Sequence, residues 1–185
     1  MDKLTDYSGE FIQNLQPGDF SPETLAELLK LYAKLYIALD GFWYLTVKDR
    51  ISNEEALACD IAAWEKVSKY EMKRITEALR IKGNDIVSMV KAMQLSPWFL
   101  HTKGKTEIFD GKRAVMMITY CPTLDALEKE GQGRENDICN TFEPVILKRY
   151  AAFFNPGIEV QCLKSPPRKS KDEICCQWEF SYGDK

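Results

Sequence analysis

Apolar residues in the first half of the chain recur at steps of three and four. Leu25, Leu28, Leu29, Tyr32, Leu35, Tyr36, Leu39 and Trp43 trace one broad face, the mark of an amphipathic helix. Ser21 precedes it as an N-cap, and Pro22 suits the first helical position, whose N–H has no partner in any case. The spacing predicts a long helix to about Arg50. A second helix opens at Ser52, with Glu55 at capping-box spacing. It carries Leu57, Ile61, Trp64, Val67, Ile75 and Leu79 to a stop at Gly83. Two long helices joined by a short turn predict an antiparallel hairpin. A shorter helix over about 85–95 ends before Pro97.

Near residue 105 the period changes from helical to extended. "TEIFDGKRAVMMITYC" reads as two strands around Asp110-Gly111, a pair suited to the positive φ of a tight hairpin turn. "PTLDALEKEG" predicts a short helix closed by Gly131, and residues 137–154 another. Pro144 is awkward in that helix's interior, so the helix starts near Asn140 or bends there. Two last strands, about 158–164 and 173–182, flank a loop with Pro166 and Pro167. The fold class is α+β: a helical N-terminal half packed with a four-stranded antiparallel sheet. Residues 1–20 read as a flexible arm and 21–185 as one domain.

The last strand brings in candidate chemistry. Alternation places Ile174, Cys176, Trp178 and Phe180 on one inward face and sends Cys175 outward, to solvent or to the sheet's second face. By the same parity Ile158, Val160 and Cys162 face inward from the strand before it. Cys139 and Glu143, one turn apart, lie above that face, and Cys121 ends the preceding strand. Cys121, Cys139, Cys162 and Cys176 thus form a candidate metal set for zinc or an iron–sulfur centre, since thiolates bind both. No C-x-x-C pair occurs, and free cysteine also packs as a small hydrophobe, so plain core packing stands beside the metal reading. Cys139 at a helix start is also a candidate nucleophile, because the helix dipole lowers a thiol's pKa. The single histidine, His101, is available as its base or is a surface loop residue. Glu71 falls on the apolar stripe of the second helix, where a carboxyl either needs a partner or reaches water at the stripe's edge. Trp64, Glu143, Trp98 and Trp178 complete a candidate ligand wall, with Trp98 in "SPWFL" as a lid.

Composition narrows the function classes. The net charge is −3 over 185 residues, which disfavours a nucleic-acid surface. No run approaches a membrane span, and the N-terminus has no apolar signal core, so the expected setting is cytoplasmic with reduced thiols. Phosphate-binding glycine loops, H-E-x-x-H and G-x-S-x-G are absent.

The segments "WEKVSKYEMKRI", "CNTFEPVILKRYAAFFNPGIEVQCLKSPP" and "CCQWEF" resemble a family of small cytosolic proteins from anaerobic bacteria and archaea. That family is distantly similar to L-2-amino-thiazoline-4-carboxylic acid hydrolase-like proteins and to the 4-vinyl reductase domain. The resemblance implies an α+β fold and relatives that bind small molecules or open a C–N bond by hydrolysis. Three functions follow as expectations. The first is a module binding a small molecule or metal in a cysteine-lined pocket. The second is a C–N hydrolase using Cys139 and Glu71. The third is a homodimeric interaction protein that pairs through its first helix.

Overall fold

The computed structural model describes residues 3–183. Helix α1 spans Pro22–Arg50 and α2 Asn53–Leu79. Each starts as the sequence predicts: Ser21 accepts the Thr24 N–H and Ser52 the Glu55 N–H. Helix α2 stops three residues earlier than Gly83 suggests, because Arg80 takes the left-handed cap itself at φ 54°. Helices α3 (Ile86–Met93) and α4 (Pro97–Leu100) follow. Ahead of α1 the chain folds back on itself. Leu4 N–H donates to Asp19 O and Ser21 N–H to Leu4 O, both at 2.8 Å.

Strands β1 (Lys103–Phe109) and β2 (Arg113–Tyr120) form the expected hairpin, with Asp110 at φ 48° and Gly111 at φ 76°. Helix α5 covers Pro122–Glu130, and a helix begins at Glu135 as α6 (Glu135–Asp137). It widens to a π turn over Ile138–Phe142 and continues as α7 (Glu143–Phe154). Strands β3 (Glu159–Lys164) and β4 (Cys176–Ser181) close the chain. The sheet is antiparallel throughout, in the order β1-β2-β4-β3. The fold is therefore α+β. Gly104 is required where β1 meets β2, because a Cβ there would sit 2.3 Å from the Met117 carbonyl.

One sheet face carries the core. Ala114, Met116 and Ile118 of β2 and Trp178 and Phe180 of β4 are buried under α3 and α7. Pro144 does not break the helix above them. It has no N–H to give Asn140 and its ring would strike that carbonyl. The turn widens instead, with Glu143 N–H reaching Ile138 O. Helix α1 departs from its predicted orientation. The monomer buries Ala33 and Tyr44, while Leu29, Tyr32, Leu35, Leu39 and Trp43 of the predicted face are exposed.

Candidate functional site

Helix α7 crosses the sheet with a polar line along its inner face. Glu143 and Tyr150 are seven residues apart, two turns on one side of the helix. Tyr150 is fully buried, and its hydroxyl donates to Glu71 Oε2 on α2 at 3.1 Å. The Trp98 indole N–H from α4 donates in turn to that hydroxyl at 3.1 Å, with its ring stacked on Tyr150. Ser96, the cap of α4, also faces the carboxyl. Glu71 is thus inside the core rather than at the stripe's edge, and its Oε1 has no hydrogen-bond partner among the described residues. Burial pushes its pKa up to about 7, against the opposing pull of Tyr150 and Ser96. Burial and Glu71 hold the Tyr150 hydroxyl well above its usual range, so it stays a neutral donor.

Glu143 has a different environment. Burial alone pushes its pKa up to about 7, with no cation or donor to offset it. Its charge contributes to raising the thiols of Cys121, Cys139 and Cys176, so all three lie within electrostatic reach of it. These arrive from separate elements. Cys121 caps α5, its sulfur accepting Leu124 N–H at 3.5 Å. Cys139 lies in the π turn and Cys176 opens β4. Each of the three thiols, like Glu143, is half-buried. Burial is the first cause of the raised pKa in every case: Cys121 reaches about 11, and Cys139 and Cys176 lie well above the ordinary thiol range. Trp178 is buried with its indole N–H toward the Cys176 thiol, too loosely placed for a well-formed hydrogen bond, and without another partner among the described residues.

The set therefore lacks one predicted member, Cys162, and a second cysteine, Cys175, departs from its expected position. Cys162 does share a sheet face with Trp178, its cross-strand partner. It lies on the edge strand beyond the helical cover, however, and is exposed. Cys175, expected to face outward, is buried. It precedes the strand, so strand alternation does not govern it. Its N–H donates to Ile118 O at 2.8 Å, and Arg168 Nη1 donates to its sulfur at 3.6 Å. Among the described residues no three His, Cys, Asp or Glu side chains are arranged to hold a metal ion. Cys139 also lacks the lowered pKa expected of a helix start. The helix begins a turn earlier, at Glu135, and Glu143 and Glu135 both oppose its ionisation. His101 sits beside Lys34, and burial and that lysine lower its pKa.

Sequence reading missed a second acid group. Asp60 of α2 is buried against Asp40 of α1, and Trp64 Nε1–H donates to Asp40 Oδ1 at 2.7 Å. Burial and then Asp40 push the Asp60 pKa up to about 8, so the two carboxyls share a proton. Trp64 stands edge-on between Tyr36 and Phe142. The signal was present in α2, where Asp60, Trp64, Ser68 and Glu71 follow one face at helical spacing. Tyr150 carried a similar signal, two turns beyond Glu143.

Space near these groups is limited. An apolar crevice between Val90, Met93, Phe99, Thr106, Met116 and Phe180 has no room for a water molecule. An open cleft of about 240 Å³ lies outside the thiols, between Glu128, Glu135 and the loop 167–171. Arg168 forms its floor, paired to Glu128 at 2.6 Å. No helix of the described residues is long and apolar enough to cross a membrane.

Comparison with curated proteins and with solved structures returned no match for this chain. A family model does match it over residues 18–182, a span that takes in both long helices, the whole sheet and every residue placed around Glu143. On that match the chain belongs to the Family of unknown function (DUF6125).

Proposed function

We propose that the chain is a binding module for a small organic molecule, held in a recess around Glu143. The observation that carries this reading is the gathering of Cys121, Cys139 and Cys176 about a carboxyl that has no partner of its own. A carboxyl set this deep without a donor weakens the fold, and a ligand bearing an N–H group supplies the missing donor. The four side chains are deep enough to have strongly raised pKa values yet keep accessible surface, which favours a recess over solid packing.

The ligand class is a small amine, amidine or amide with an apolar body. Neutral thiols provide polarizable walls rather than charge. The hydrolase alternative gains no support from Cys139, because a nucleophilic thiol needs a lowered pKa and this one is raised.

The test is a fragment screen by thermal shift on protein purified without oxygen, using amines, amidines and amides. Binders should stabilise the wild-type chain and lose at least ~10-fold affinity in Glu143→Gln. Elemental analysis of the same sample separates a metal from an organic ligand. Binders indifferent to Glu143→Gln and to Cys139→Ala would place the site elsewhere and overturn the reading.

A further inference from the structure

The monomer leaves one side of α1 bare. Leu31, Tyr32, Leu35, Leu39 and Phe42 project from it, with Leu39 70% and Phe42 69% exposed. No charged side chain interrupts this face between Leu28 and Phe42: Lys30 and Lys34 lie on its flank, and Asp40 points inward to Trp64. Monomeric proteins seldom expose so continuous an apolar patch.

The spacing of the bare face describes its partner. Leu28, Tyr32, Leu35, Leu39 and Phe42 advance by four, three, four and three residues, the seam of one helix lying along another. The seam is also palindromic. Residues 28 and 46, 32 and 42, and 35 and 39 are equally distant from Ile37. An antiparallel second copy with its two-fold axis at Ile37 would thus set Tyr32 against Phe42 and Leu35 against Leu39, twice over. Antiparallel pairing also sets opposed helix dipoles side by side. Covering the five bare side chains on both copies removes roughly 1,200 Å² from water, the lower end of the range for stable interfaces.

We infer that α1 is the two-fold interface of a homodimer, packed antiparallel against α1 of a second copy about Ile37. This inference is independent of the ligand reading. Sedimentation equilibrium of the full chain should give twice the 21.3 kDa monomer mass. Leu35→Glu and Leu39→Glu should each weaken association at least ~100-fold, since each repeats a desolvated charge across the axis. The double variant L35E/L39K should recover at least ~10-fold over either single variant, because only the antiparallel arrangement sets residue 35 against residue 39. Circular dichroism verifies folding, and Leu39→Asn replaces any charged variant that fails it. A monomeric wild-type chain, or a dimer indifferent to Leu35→Glu and Leu39→Asn, overturns the interface. Loss of the dimer without rescue in the double variant overturns the antiparallel geometry.

Discussion

The α1–α2 seam and the α7–sheet seam both bury carboxyl groups, and they treat them in opposite ways. Between α1 and α2, Asp60 and Asp40 share one proton, and Trp64 satisfies a remaining oxygen. On α7, Tyr150 holds Glu71 of α2, whereas Glu143, above the sheet, has no hydrogen-bond partner among the described residues. The first arrangement is the more complete, with Asp60 Oδ1 left without a hydrogen-bond partner among the described residues. The second is more open, because burial of Glu143 is offset by no donor among the described residues and the Trp178 indole N–H has only the Cys176 thiol beside it. An unmet polar group lowers stability, which is why such groups concentrate where a ligand completes them.

Several changes sharpen this contrast. The largest effect should come from Tyr150→Phe, which removes the hydroxyl that donates to Glu71 Oε2 and accepts the Trp98 N–H. Chemical denaturation should report a loss of about 2–3 kcal/mol. Asp60→Asn should cost less, about 1 kcal/mol, because the amide can still donate to Asp40 in place of the shared proton.

Next comes pH. Glu71 and Glu143 at about 7 and Asp60 at about 8 all lie above their ordinary values of 4.5 and 3.8. A carboxyl with a raised folded pKa holds its proton in the native state after the unfolded chain has released it. Stability is therefore fully present below the unfolded pKa and is lost as pH rises to the folded value. Thermal melts should show Tm falling between about pH 5 and pH 8, counter to the usual carboxylate behaviour. Glu143→Gln should flatten this slope and stabilise the chain by about 1 kcal/mol above pH 7. If Glu143→Gln were neutral at every pH, the open seam would be closed after all. The smallest effect belongs to exposed Cys162: Cys162→Ser should stay within about 0.5 kcal/mol of wild type. Cys175→Ser, which places a hydroxyl in the core, should exceed it in the same titration.

Helix starts, the Asp110-Gly111 hairpin and the inward parity of Trp178 and Phe180 were legible because each depends on neighbours in sequence. Glu71, Glu143, Trp98 and three of the four cysteines were also legible as unusual residues on apolar faces. Their pairings were not. Tyr150 meets Glu71 across 79 positions, and Asp60 meets Asp40 only after α1 has chosen which side to bury. That choice defeated periodicity. Helix α1 has two apolar faces, and the greasier one is left in water by the monomer. Cys162 and Cys175 failed for a simpler reason: parity gives a direction within a strand but says nothing of helical cover or of residues just before the strand begins.

The π turn over Ile138–Phe142 has a consequence for related chains. It holds one residue more than an α-helical turn would need. A relative lacking one residue there would regain ordinary helical winding, keep α7 seated on the sheet, and swing Cys139 by roughly 100° about the axis. Such a chain would retain this architecture while losing a wall of the proposed recess, so on the binding proposal the length of that short segment should sort family members that bind from those that only fold.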